Sequence, residues 1–251
     1  MVNSTTGLRS MILIGIVAAT SVVAAQSPVT TPKITSISKI TTAKHQTITI
    51  TGTGFGTHSA YTGDSNFISF YDQTKLWEAG YKPDGDTVTL IVNSWTNTKI
   101  TLGGFAGKWG TSNFTLKVGD KEKIRVWNAQ GSGGSLGLDC NAGCATKTVT
   151  VVATATSTEI HSSLKESVYG QPVRFTAIVT SGDGAPPDGG RVLFMRGDEV
   201  LGSATLRGGV AHFTISTLEF GTHEIKAIYE GDADFAATGR DEAASLTHTV
   251  N

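Results

Sequence analysis

The sequence predicts an all-β chain of two β-sandwich modules in tandem behind a signal peptide. Composition is the first reason: Gly numbers 30 of 251 residues and charged residues make up only 16%, a balance that suits short strands and turns better than amphipathic helices. The second is the recurrence of apolar residues at every other position in short runs. The third is Lys147 to Ile160, KTVTVVATATSTEI, where Val149, Val151 and Ala153 close one strand set and a small, Thr-rich run leads into another. The expected organisation is a signal peptide over 1–25, one sandwich over 26–153 and a second over 154–251. Each sandwich is long enough to bury a core without metal or dense disulfides.

The amino terminus reads as an export signal. Arg9 precedes an apolar run from Met11 to Val23, and the small residues Val23 and Ala25 place cleavage after Ala25. The run is shorter than the roughly 20 apolar residues a spanning helix needs. Residues 1–25 carry one basic and no acidic residue, so the 20 basic and 21 acidic residues of the whole chain become 19 and 21, a mature charge of −2. The expected location is extracellular or cell-surface, with the periplasm as the other compartment such a signal reaches, and no stable membrane span remains after cleavage. No basic stripe exists, which argues against nucleic acid as a partner.

The first sandwich opens with PVTTPKITSIS (Pro28–Ser38), an extended lead-in anchored by Ile34 and Ile37. Thr47–Thr51, TITIT, alternates strictly, with Ile48 and Ile50 on one face. It runs into Gly52, Gly54 and Gly56 around Phe55, where glycine permits a tight turn and Phe55 plugs the end of the core. Further strands are expected through Val88, Leu90 and Val92; Ile100 and Leu102; Phe114, Leu116 and Val118; and Ile124 and Val126, with turns at Pro83–Asp86 and Val118–Asp120.

The segment PKITSISKITTAKHQTITITGTGFG (Pro32–Gly56) resembles the opening of an IPT/TIG domain, an immunoglobulin-like sandwich with a strand that ends in a Gly-x-Gly-Phe-Gly turn. The likeness continues in NFISFYD (Asn66–Asp72) and SWTNTKITL (Ser94–Leu102) and extends over roughly Pro32–Ala153. Trp77–Asp86 and Gly103–Gly110 depart from that short pattern as insertions or altered loops.

In the second sandwich, Val173, Phe175, Ala177 and Val179 alternate with polar residues as an inward face requires. RVLFM turns through Gly197 and Asp198 into EVLGSATL as a hairpin. Strands follow at Val210–Ile215, His223–Tyr229 and Ser245–Val250. YGQPVRFTAIVT (Tyr169–Thr180), DGGRVLFMRGDEVLGSATLRGGVAHFTISTL (Asp188–Leu218) and FGTHEIKAIYEGDADFAAT (Phe220–Thr238) resemble the bacterial Ig-like repeat of group 3. That resemblance implies adhesive or spacer modules of exported proteins and no enzymatic activity. The two resemblances together make both sandwiches immunoglobulin-like.

Candidate sites are few. GGSLG (Gly133–Gly137) has the Gly-x-Ser-x-Gly spacing of a nucleophile elbow, but its Gly-rich neighbourhood lacks the strand and helix that chemistry needs. The six histidines form no zinc spacing; His58, His161 and His248 read as surface residues and His223 as a partly buried strand residue. Cys140 and Cys144, the only cysteines, are expected to form a disulfide that shapes a loop tip, worth about 2 kcal/mol by loop entropy. The pairs Asp84 and Asp86, and Asp232 and Asp234, lack the remaining ligands of a calcium loop. Arg196-Gly197-Asp198 spells the integrin-recognised tripeptide, yet Gly-Asp is what a tight hairpin needs.

The tryptophans are the leading binding candidates. Trp95 precedes a strand, Trp109 lies in GGFAGKWG, and Trp127 is out of phase with Ile124 and Val126. If those two face the core, Trp127 faces outward and, with Trp109, offers a stacking platform for sugar rings. The alternative has loops folding over both. The expected function is non-catalytic binding, adhesion or scaffolding toward a surface protein or polysaccharide. A carbohydrate-binding module using Trp95, Trp109 and Trp127 and a purely structural spacer are the rivals. No catalytic residue, cofactor or metal is assigned.

Overall fold

The computed structural model describes residues 29–81, 88–134, 140, 143–182 and 188–251. The expected export signal, residues 1–25, lies outside them. All named elements are strands, and among the described residues no helix is long and apolar enough to cross a membrane.

Ten strands build the first body: β1 (Lys33–Ile37), β2 (Ile40–Thr41), β3 (His45–Thr53), β4 (Tyr61–Gly63), β5 (Ile68–Asp72), β6 (Trp77–Ala79), β7 (Val88–Trp95), β8 (Lys99–Gly107), β9 (Lys121–Trp127) and β10 (Cys144–Val152). They pair in the order β1-β3-β8-β7-β6-β5-β9-β10-β2, with β4 on β7. The path passes from one layer to the other at a single parallel pairing, Ala79 with Val88. Ile48, Ile50, Val92 and Leu102 on one side and Ile68, Phe70, Ile124 and Val126 on the other therefore share a core.

The glycine turn after β3 follows from close approach. A Cβ on Gly52 would collide with the Lys33 carbonyl oxygen and the Phe55 ring, and Gly54 and Gly56 sit at φ 75° and 70°. Those positions need glycine, and the turn they make lets Phe55 reach the core with no exposed surface.

Two expectations fail here for one physical reason. Gly103–Gly107 is not a loop but the second half of β8, with Gly104, Phe105 and Ala106 paired to Ile91, Leu90 and Thr89. Phe114–Val118 is not a strand, because Phe105 buries itself in the core and Trp109, Phe114 and Leu116 pack over that end of the sandwich. The apolar spacing in Phe114–Val118 reflects this lid, not a pleated face.

The second body has β11 (Thr156–Ser162), β12 (Glu166–Ser167), β13 (Val173–Ser181), β14 (Arg191–Arg196), β15 (Glu199–Thr205), β16 (Val210–Ile215), β17 (Gly221–Tyr229) and β18 (Ala244–Val250). A three-stranded sheet, β11-β13-β16, faces a five-stranded sheet, β12-β18-β17-β14-β15. Val173, Phe175, Ala177 and Val179 meet Val192, Phe194, Ile225 and Ala227 in a separate core.

Between β10 and β11 the chain is pinned. Thr154 forms a parallel bridge with Phe235, donating its N–H to the Asp234 carbonyl at 2.9 Å and accepting from Ala236 N–H at 2.8 Å. Thr42 of the first body donates its hydroxyl to the same Asp234 carbonyl at 2.8 Å and lies 2.9 Å from the Thr154 hydroxyl.

Candidate functional site

The strand phase of β9 decides where the tryptophans go. Ile124 and Val126 face the core, and Trp127 emerges on the opposite face as its phase requires, outside the apolar cluster. It is nevertheless only 3% exposed. Tyr81 stacks on it at 5.4 Å, and the strip Asn128–Gly134 folds over both; a Cβ on Gly134 would stand 3.0 Å from the Trp127 ring. The expected outward tryptophan is thus capped by its own loop, and Trp127 presents no sugar platform. Trp95 is also buried, with its indole N–H donated to the Phe55 carbonyl at 3.0 Å.

Trp109 differs. It is half-buried, stacked on Phe105 at 4.4 Å and 12° and set edge-on to Trp77. Its remaining surface lines a groove of about 220 Å³ between the bodies, with Thr42, Leu116 and Lys117 on one side and Asp234 and Phe235 on the other. Trp109 and Trp127 are therefore held in unrelated settings, one facing the junction and the other beneath the loop that begins at Asn128.

The second body carries a cluster of exposed apolar side chains. Val168 and Tyr169 are each 59% exposed and Phe220 is 70% exposed, and the two rings stack at 5.4 Å. They lie at the pole away from the junction. β11 runs from Thr156 near the joint to Ser162, β13 returns from Val173, and Gly221 pairs with Val250 at the far end of β17. Sequence reasoning had no signal for this pair, since the loops that bring Tyr169 and Phe220 together lie on either side of two intervening sheets' worth of strands.

The remaining candidates resolve into turn chemistry or packing. Arg196 gives two hydrogen bonds to Glu199, at 2.6 and 3.0 Å, Gly197 sits at φ 57°, and Asp198 accepts from Arg240 at 3.1 Å, so both charges of the tripeptide are engaged within the protein. Asp232 accepts from the N–H groups of Asp234 and Phe235, each at 2.9 Å, and from the Tyr229 hydroxyl, as a turn former does. Asp84, Asp86 and Ser135 lie outside the described residues. Cys140 and Cys144 are disulfide-bonded with Cα atoms 5.0 Å apart. His248, expected at the surface, is fully buried. It pairs with the Ser167 hydroxyl at 2.9 Å and the Leu164 carbonyl at 3.1 Å.

Two buried polar clusters escaped the sequence reading. Arg125, only 3% exposed, donates to Ser69 at 3.2 Å and pairs with Glu78 at 3.4 Å beneath the capped face. The other lies at the junction end of the core. Asp72 and Glu122 are directly opposed on β5 and β9, and both are fully buried. Lys75 reaches in to Asp120 at 2.6 Å and Asp72 at 3.9 Å. Burial above all, then Asp72 and Asp120, pushes the Glu122 carboxyl up to about 8 against the pull of Lys75. The signal was legible: Glu122 shares its phase with Ile124 and Val126, and Asp72 with Ile68 and Phe70, which puts two carboxyls on a core-facing row. Among the described residues no group of three or more His, Cys, Asp or Glu is arranged to hold a metal ion.

The second core, with three strands facing five, coincides with a family match over the same stretch. Residues 160–251 match the bacterial Ig-like domain (group 3). This Ig-like module contains the exposed aromatic pair, the tripeptide hairpin and the Asp232 turn. No curated protein matches the chain. Among solved structures, the fibronectin(III)-like modules of Clostridium thermocellum CbhA are similar at 19% identity and TM-score 0.33, over 88% of this chain and 94% of that one. The Yersinia pseudotuberculosis adhesin InvE is similar at 12% identity and TM-score 0.32, over 88% of this chain but 58% of its own. The titin domains Z1Z2 in complex with telethonin are similar at 14% identity and TM-score 0.28, over 89% of this chain and 97% of that one. No ligand or partner follows for this chain from these likenesses.

Proposed function

We propose that this chain is an exported, non-catalytic protein of two immunoglobulin-like modules that binds a surface partner through the free pole of its second module. The observation that carries the reading is the stacked pair Tyr169 and Phe220, 59% and 70% exposed beside Val168. A monomer gains nothing from holding two large rings in water, whereas paired exposed aromatics serve recognition. The pinned joint at Thr42, Thr154 and Asp234 would present that pole at a set distance from the first module. The Gly52–Gly56 turn with its buried Phe55 supports an IPT/TIG-type first module, and the Met11–Val23 run supports export.

The test is binding of the purified chain to arrayed glycans, cell-wall polysaccharides and extracellular matrix proteins, beside a folded Tyr169→Ala, Phe220→Ala variant. Saturable binding lost in the variant supports the reading. Binding retained by the variant refutes this site, and no binding across the array refutes the reading in favour of a spacer. A carbohydrate site at Trp109 is the second reading, favoured because Trp95 and Trp127 are buried whereas Trp109 is only half-buried and lines a groove. Trp109→Ala would abolish glycan binding in that case while Tyr169→Ala, Phe220→Ala would not.

A further inference from the structure

The junction-end cluster sets an amine against a carboxyl in a nearly dry site. Asp72 Oδ1 accepts from the N–H groups of Thr74 at 2.7 Å and Lys75 at 2.9 Å, and Leu76, at φ 59°, donates back to the Asp72 carbonyl. This tight turn throws the Lys75 side chain across the end of the sandwich. Its Nζ lies 2.6 Å from Asp120 Oδ2 and also donates to the Thr115 carbonyl. Asp120 is itself fixed, because Oδ2 accepts from Lys117 N–H at 2.7 Å and its backbone exchanges bonds with Lys117 and Val151. The Lys75 and Asp120 side chains are 16% and 7% exposed.

Glu122 stands two residues beyond Asp120, which immediately precedes β9; it is fully buried, and neither of its carboxyl oxygens has a hydrogen-bond partner. A carboxyl that is only structural would be expected to find donors. One that holds a proton beside a nucleophile and an electrophile has a use for free oxygens. We propose that Lys75 and Asp120 condense into an intramolecular amide, promoted by the buried carboxyl of Glu122 beside them.

The step balances without a co-reactant. Along the 2.6 Å hydrogen bond between them the Lys75 ammonium passes a proton to the Asp120 carboxylate, leaving a neutral amine and a neutral acid. Nζ attacks Cγ of Asp120 and the N–C bond forms. The Asp120 hydroxyl leaves as water, taking one further proton from the attacking amine, while the Glu122 carboxyl keeps its protonation state. One ammonium and one carboxylate become one amide. Removing that buried ion pair and its desolvation cost favours the product, and the fixed approach of the two groups supplies the proximity that amide formation lacks in free solution.

Glu122 is absent from the binding reading, and the readout needs no ligand. The full chain and its Lys75→Arg, Asp120→Ala and Glu122→Gln variants are purified, reduced, denatured and weighed by intact mass spectrometry. Lys75→Arg serves as the reference, so that amino-terminal processing cancels. The expected result is a native chain lighter than its sequence mass by one water relative to that reference, with a protease-resistant link between the peptides containing Lys75 and Asp120. Full mass is expected for Asp120→Ala and Glu122→Gln. A native chain at full mass overturns the proposal and leaves a salt bridge; a Glu122→Gln chain that still loses water overturns the part assigned to Glu122.

Discussion

Burying an acid at the end of a core makes stability fall as pH rises, and Glu122 allows the size of that fall to be worked out. Its carboxyl moves from the ordinary value of 4.5 to about 8 on folding. Between those values the folded chain holds a proton that the unfolded chain has released, so this group's contribution to stability is greatest below 4.5, declines as pH rises, and has reached its full loss above about 8. The decline approaches about 1.4 kcal/mol per pH unit, or about 3 to 4 kcal/mol between about pH 5 and about pH 8. Because Glu122 is 0% exposed, solvent does not weaken the effect. The comparison is Glu122→Gln against Glu122, both with Lys75→Arg, which keeps the cation and cannot form the amide. All 4 tryptophans lie between Trp77 and Trp127, so urea unfolding followed by tryptophan fluorescence reports the first body alone. The Gln chain should be about equal to its parent at the acid end and more stable by the stated amount at the alkaline end. Parallel pH profiles for the two chains would refute the reasoning.

Other predictions concern the cap, the cores and the joint. Gly134→Val should force Tyr81 and Trp127 apart at a cost of about 1 to 3 kcal/mol and make Trp127 fluorescence quenchable by acrylamide, since the native approach leaves no room for a Cβ. Phe55→Ala should destabilise the first body by about 3 to 5 kcal/mol in the same urea assay, its ring being wholly buried. His248→Ala leaves the Ser167 hydroxyl and the Leu164 carbonyl without their buried partner; calorimetry should show the second body weakened by about 1 to 3 kcal/mol. Thr154→Val removes the hydroxyl contact with Thr42 and should broaden the inter-module distance distribution in small-angle scattering, with both unfolding transitions unchanged.

Alternation made the strands of the second body legible because one face of each sheet is buried and the other is wet. Val173 to Val179 shows this with every second residue in the core. In the first body the same rule failed where a strand lacks side chains to read: Gly104 pairs with both His45 and Ile91 because glycine lets β3 approach β8 closely, and Gly103 sits at the register shift beside it. The phase of Trp127 was readable, but its burial was not, because the residues that cover it come from a Gly-rich loop with no periodicity. The acid cluster was open to reading from Glu122 and Ile124 alone, had the charge been weighed as a core residue and not as a surface one.

The loop from Thr115 to Asp120 belongs to two structures at once. Its first carbonyl and its last carboxylate hold Lys75, and its Leu116 and Lys117 line the groove against Asp234 and Phe235. Asp120 also accepts the Val151 N–H, three residues before the Thr154 hydrogen bonds that pin the second body. The polar cluster therefore sits between the core of the first module and its joint, tied to each by backbone bonds. A loop at this position with no such anchor would rest on Leu116 and Phe114 alone, and the wall of the groove would move with it. Holding that loop gives the buried lysine and its carboxylates a structural consequence at the junction whether the Lys75 to Asp120 contact is an ion pair or an amide, and the amide would make the same restraint independent of pH.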